Sequence, residues 1–240
     1  MNAPFLGKQG LHDNNSEFNS YSFLVEQILN RANTATLVKV VSVTNSGGVS
    51  PVGFVDIQPL VNLLDGYGNA VPHGVVHHVP YHRLQGGANA IILDPQVGDI
   101  GIAIFADRDI SSVKNNLSQS NPGSLRRFDM ADAMYMGGFL NGTPSQYIEF
   151  SASGIKVNSP TKITCIAPNI EFDANTAFAI NSPTITLNGA VTQGAGSYAG
   201  NSSFAGTMTV NIDAVIGGKS YIHHIHSGVT SGSSDTGNIV

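Results

Sequence analysis

The sequence predicts an all-β protein, and three observations carry that prediction. Only 11% of the residues are charged, where a soluble domain usually carries about 25%. Glycine supplies 27 of 240 residues, about 11% against a usual share of about 7%. Short runs of alternating apolar residues recur along most of the chain, the pattern of strands with one covered face. Scarce Glu, Lys and Arg argue against a helical bundle, and 41% hydrophobic residues argue against disorder. The glycines lack the period of three that collagen needs.

Residues 1–33 read as an N-terminal arm with one short helix. Phe23, Leu24, Ile28 and Leu29 recur at helical spacing between Phe18 and Ala32. Ser20 or Ser22 is the expected cap, and the helix is expected to end near Asn33. Met1 to Ser16 show no cationic stretch followed by an apolar run, so no signal peptide is expected. No stretch approaches 18 apolar residues, so no membrane-spanning helix is expected.

Residues 34–112 read as strands. Thr36–Thr44 is β-branched, Val52–Leu64 follows the turn Asn45-Ser46-Gly47-Gly48, and Val71–Tyr81 carries Pro72 and Pro80, which suit an edge. Ala88–Leu93 and Gly98–Phe105 complete a set of five. Five short strands with Gly-rich turns suit a small Greek-key barrel of OB type, with a compact sandwich as the competing architecture. Residues 113–146, with Pro122-Gly123 and Gly137-Gly138, read as an irregular connector.

From Tyr147 the pattern changes. Ile155-x-Val157, Ile163-x-Cys165, Ile170-x-Phe172, Phe178-x-Ile180 and Ile185-x-Leu187 start at spacings of 8, 7, 8 and 7. A turn-favouring residue stands five after the start in four of the five: Pro160, Pro168, Asn175 and Pro183. A fixed short period with alternation signals a β-solenoid or β-helix. One chain could close such a coil, but three identical chains would supply three sets of side chains per level and leave no exposed edge. Residues 147–216 are therefore read as a shaft and 217–240 as its tip. Charge follows this division: residues 145–240 hold only eight charged side chains.

The sharpest constellation is Tyr221-Ile222-His223-His224-Ile225-His226-Ser227-Gly228. On a strand His224 and His226 project to one face, with His223 to the other. A threefold axis would gather six imidazoles, a donor set that suits an octahedral transition metal. Zinc prefers four ligands, so six favour iron or a similar ion. The plain alternative is a solvated His-rich strand. A second group, His73, His77, His78 and His82, has i, i+4 spacing, but Pro72, Gly74 and Pro80 oppose a helix. On a strand His73 and His77 would share one face and His78 and His82 the other, as surface or interface histidines.

Other chemistries find little purchase. Gly218-Lys219-Ser220 looks like the end of a phosphate-binding loop, but Asp213 stands where its first glycine belongs. Gly194-x-Gly196 is followed by Gly200, one residue late for a dinucleotide fingerprint. No Gly-x-Ser-x-Gly elbow occurs at a strand–helix switch. Cys165 cannot form an intrachain disulfide and reads as a small inward residue of the repeat. Asp107 with Asp109, or Asp129 with Asp132, could form carboxylate pairs, and Arg126-Arg127 reads as a surface or chain–chain ion-pair contributor. Net charge is −5, and Lys39, Arg83 and Arg108 among acids do not make a basic groove, so no nucleic-acid partner is expected.

The chain from about Arg31 to Val240 resembles the central spike of contractile phage tails, of the baseplate assembly protein V type, and its membrane-puncturing relatives. The resemblance is carried by Arg31-Ala32-Asn33-Thr34-Ala35 before the OB-like region and by Gly137-Gly138-Phe139-Leu140-Asn141-Gly142-Thr143-Pro144 before Tyr147-Ile148. It is carried further by the short-period repeat and by His224-Ile225-His226-Ser227-Gly228-Val229, with Gly232 and Thr236-Gly237 after it. The chain departs from the family in having Thr230-Ser231 rather than a proline after Val229. The resemblance implies a non-enzymatic virion structural protein, made in the host cytoplasm and placed at the tail baseplate tip. It implies a homotrimer: OB domains against the tail hub and tube, an intertwined triple-stranded β-helix, and an apex holding one iron ion through three copies of His224 and His226. Calcium and chloride also occur near the tip or on the axis of such spikes, and no motif here places them. The host outer membrane would be met transiently at the tip. A trimeric tail fibre or tailspike that binds or cleaves surface polysaccharide is the alternative, and a single-stranded nucleic-acid OB protein a more distant one.

Overall fold

A computed structural model describes residues 12–13, 15–65, 67–194, 196–198, 200–223, 225, 228 and 232. The chain divides into two compact units, one running to Cys165 and the other starting at Ile166. The fold is mostly β with few helices.

In the first unit, α1 spans Glu17–Leu29. Its cap is Ser16, in extended conformation, whose side chain accepts the Asn19 backbone N–H at 3.2 Å. Ser20 and Ser22, the expected caps, lie inside the helix instead. Ser16 wins because its oxygen reaches an N–H that the first turn leaves unpaired, next to Glu17, which favours the positive helix end.

Next come β1 (Ala35–Val43) and β2 (Phe54–Pro59), the small ladder of β3 (Leu63–Leu64) with β4 (Ala70–Val71), and β5 (Val76–Pro80). A hairpin of β6 (Leu84–Gly86) and β7 (Asn89–Ile91) precedes β8 (Ile100–Phe105). A short helix α2 (Ser111–Asn116) and a 3-10 turn (Met130–Asp132) lead to β9 (Ala133–Gly137). The main sheet has the order β5-β2-β1-β8-β9, and every ladder in it is antiparallel.

Alternation explains the core. Val38 and Val40 of β1, Val55 and Ile57 of β2, and Val79 of β5 point inward, as do Ala103 and Phe105 of β8 and Ala133 and Tyr135 of β9. Register shifts between Val40 and Ser42 in β1 and between Val55 and Ile57 in β2 bend the strands. The sheet curls into a half-barrel, and its two edges meet: Tyr81 bridges Tyr135 in parallel, and the His82 N–H donates to the Tyr135 carbonyl at 2.8 Å. Gly101 permits this curl, because a Cβ there would collide with the Tyr135 ring and the Met136 carbonyl.

Two expectations are corrected here. The Ala88–Leu93 run does not join the main sheet; only Asn89–Ile91 is strand, paired with β6 in a separate hairpin. The fifth main-sheet strand is β9, from within the stretch expected to be an irregular connector. Its signal is a five-residue alternation of Ala133 and Tyr135 with Met134 and Met136, too short to stand out from the loop before it.

The first unit also holds β10 (Tyr147–Ser151) and β11 (Gly154–Asn158), an antiparallel hairpin. Ala152 and Ser153 make its two-residue turn, and Gly154, at φ 119°, follows as the first residue of β11. In the second unit, described residues have no strand until β12 (Val215–Ile216) and β13 (Lys219–Ser220). These two are joined by Gly217-Gly218, both at positive φ, as a tight two-residue hairpin turn requires.

Candidate functional site

The repeat expected to build a shaft is the largest chemical anomaly of the molecule. Of its five units, only Ile155-x-Val157 lies in a strand, β11. The other four form no strand or ladder among the described residues. Ile163, Ile170, Phe172, Phe178, Ile180, Ile185 and Leu187 are each more than half exposed. Cys165, expected to face a core, is also exposed in the single chain, because no second layer covers it. One contact joins neighbouring units: the Phe172 and Phe178 rings stack with centroids 5.4 Å apart.

The β10–β11 hairpin repeats the imbalance. Its register pairs Ile148 with Val157 and Phe150 with Ile155, and all four side chains are more than half exposed. The opposite face pairs Glu149 with Lys156, whose ammonium donates to the Tyr147 hydroxyl at 3.1 Å. A two-stranded hairpin with one bare apolar face is marginal in water by itself.

His224 and His226, the expected metal ligands, lie outside the described residues. The structure fixes the approach to them. Asp213 accepts the backbone N–H groups of Tyr221 and Ile222 at 3.1 and 3.3 Å. The Ser220 hydroxyl accepts the His223 N–H at 3.0 Å. The bond from the Ser220 side chain, which outweighs the opposing effect of burial, together with the backbone N–H groups of Ile222 and Tyr221, holds the Asp213 carboxyl below its ordinary range. His223 is exposed. Among the described residues no group of three or more His, Cys, Asp or Glu is gathered for a metal.

The second histidine group does not converge. His77 Nδ1 meets Asp56 Oδ2 at 3.0 Å, and the His78 N–H donates to Asp56 Oδ1 at 3.0 Å. The His78 backbone contact, then His77, lower the Asp56 pKa. His78 sits at φ 57° and stacks on Phe54 with centroids 3.7 Å apart. That left-handed residue breaks the alternation, so His77 and His78 are both exposed, while His73 and His82 fall outside β5. The expected same-face pairs therefore do not form.

Neither expected carboxylate pair forms: Asp109 and Asp132 share one guanidinium, while Asp107 is exposed and Asp129 accepts the Ala131 N–H at 2.9 Å. Arg126 Nε reaches Asp132 Oδ2 at 2.6 Å, and Nη2 reaches Asp132 Oδ1 at 2.9 Å and Asp109 Oδ1 at 2.8 Å. Ser111 and Ser124, with Arg126 beside them, hold the Asp109 carboxyl down to about 2. Arg126, expected at the surface or between chains, instead ties the 3-10 turn to the end of β8 within its own chain. A buried cluster unforeseen from sequence joins Arg83 and Tyr81 to Asp94, both at 2.6 Å. Burial pushes the Asp94 carboxyl up, but bonds from Tyr81, Arg83 and Gly47 hold it below its ordinary range. Among the described residues, no helix is long and apolar enough to cross a membrane.

No protein-family model matches the chain, and no curated protein matches it significantly.

Proposed function

We propose that the chain is the central, envelope-piercing spike of a contractile phage tail, a non-enzymatic virion protein that works as a homotrimer at the baseplate tip. The observation that carries this reading is the bare short-period apolar segment: strand-like units with no partner in their own chain fit strands whose partners come from two other copies. The half-barrel supports the OB reading, since its strand order, closed by a parallel contact between β5 and β9, suits a partly open five-stranded Greek-key barrel. That end would seat against the tail hub and tube. The engagement of Asp109 and Asp132 by Arg126 supports a non-enzymatic role over polysaccharide cleavage.

The donor chemistry fits one iron ion at the apex. A chain offers two imidazoles at i, i+2, His224 and His226, and three chains offer six. The ion would cross-link three chain ends where the shaft is thinnest, and binding only to the native trimer would stabilise it.

Sedimentation mass and elemental analysis of one chelator-free sample test the reading. Three chains and one metal per particle are expected. A one-chain mass would overturn the architecture, and much less than one metal per trimer would remove the apex site. The His224→Ala, His226→Ala double variant should still form trimers and lose the metal.

A further inference from the structure

Helix α1 is built to pack against a core and has none. At 100° per residue, Leu24, Ile28, Tyr21, Val25, Phe18 and Leu29 fall within an arc about 140° wide. Every one of them is more than half exposed, and α1 has no buried residue. A helix of 13 residues without a packed face is marginal in water. Its exit is nonetheless fixed: the Asn33 backbone and side-chain N–H groups both donate to the Phe128 carbonyl, at 3.1 and 2.9 Å.

A matching surface lies on the outer face of β1, β8 and β9. The registers align Leu37, Ile102 and Met136 in one row and Ala35, Ile104 and Met134 in the next. Ile104, Met134 and Met136 are 38%, 41% and 40% exposed, while their neighbours Ala103 and Tyr135 on the inner face are 0% and 1% exposed. Exposed Lys39, paired with Ile100, ends the patch. Helix and patch belong to one compact unit, yet neither is covered.

We propose that α1 of one protomer docks on the β1-β8-β9 outer face of the neighbouring protomer, so that three copies pass their helices around a ring. This rests on the three-copy reading above. Charge selects this occupant over a bundle of three α1 helices. The helix carries Glu17 and Glu26 and no cation, and Glu17 falls within the apolar arc, so a bundle would gather three carboxylates along its seam, whereas the patch offers Lys39. The contact is head-to-tail, and such a contact ends in a closed ring when its rotation closes.

The test uses the full chain with Cys165→Ser, Ile28→Cys and Met136→Cys, treated with a short bismaleimide. Dimer and trimer bands on a denaturing gel are expected, with each single-cysteine variant remaining at monomer size. A second pair, Val25→Cys with Ile104→Cys, should give the same ladder and guards against local misfolding at either first position. Cross-linking by Ile28→Cys alone would show bundled helices and overturn the docking. So would a bridge confined to one chain, or no bridge with either pair. The sedimentation mass of the untreated protein separates the two failures: a three-chain mass with any of these outcomes sinks the docking alone, and a one-chain mass sinks the trimer with it.

Discussion

The half-barrel and the repeat segment use the same alphabet and reach opposite ends. In β1 and β2, alternating apolar residues meet other strands of the same chain, and Val38, Val40, Val55 and Ile57 are sealed from water. From Ile163 to Leu187, equally regular alternation forms no ladder among the described residues, and apart from the stacked Phe172 and Phe178 rings its apolar positions stay bare. Alternation states that a face must be covered; it does not state by what. Loops that return the chain to its own edge supply the cover in the first region, and other copies are proposed to supply it in the second.

Backbone protection breaks this contrast most sharply if the proposal is wrong. In the assembled protein, amides of residues 163–187 should exchange at least about a thousandfold more slowly than in an unstructured chain, corresponding to about 4 kcal/mol. Free exchange there, measured on particles of three-chain mass, would leave the segment without partners. Next in size is Ile180→Asp. On the bare face of a lone chain it should shift stability by no more than about 0.5 kcal/mol. In a shared core it should place three charges against one axis and abolish trimers at micromolar protein by sedimentation. Its counterpart Ile57→Ala, in the sealed half-barrel, should cost about 2–5 kcal/mol by denaturant unfolding whatever the oligomeric state.

A smaller effect tests the ion cluster that ties the half-barrel down. The Asp109 pKa is depressed to about 2 in the folded chain, against about 3.9 unfolded. Its stabilisation is fully present above about pH 4 and is lost as pH falls toward about 2. The Tm difference between the native protein and Asp109→Asn should shrink across that window, and a constant difference would place the carboxylate's role elsewhere. The smallest change is expected from Tyr135→Phe. The Tyr135 hydroxyl is buried with no hydrogen-bond partner among the described residues, so removing it should leave thermal stability unchanged or slightly raised.

How much could be read in advance follows the range of the information. β1, β2 and β8 were legible because five or more residues alternate beside glycine turns. The helix was legible, but its cap was not, since Ser16, Ser20 and Ser22 all qualify until the hydrogen bond to Asn19 decides. β9 was lost because its partner β8 lies beyond a long loop, and five residues carry little pattern alone. The Arg126 cluster needed three dimensions: the positions were noticed, but spacing could not bring Asp109 and Asp132 to one guanidinium. The repeat is legible as a period, but what pairs with it is not, because four of its five units form no ladder among the described residues. The histidine tip was read from residue types alone, and His224 and His226 lie outside the described residues.

The parallel contact of Tyr81 with Tyr135 has a kinetic consequence. It is the one junction of the half-barrel that links two sheet edges far apart in sequence, and closing a long loop costs entropy before the contact returns anything. The antiparallel neighbours β1 and β2 can pair early, whereas the seam must wait until β9 has left the ribosome and found β8. Until then β5 presents an open edge. The slow steps of folding, and the interval in which the nascent chain is most prone to aggregate, should therefore be the two long closures, β1 onto β8 and then this seam.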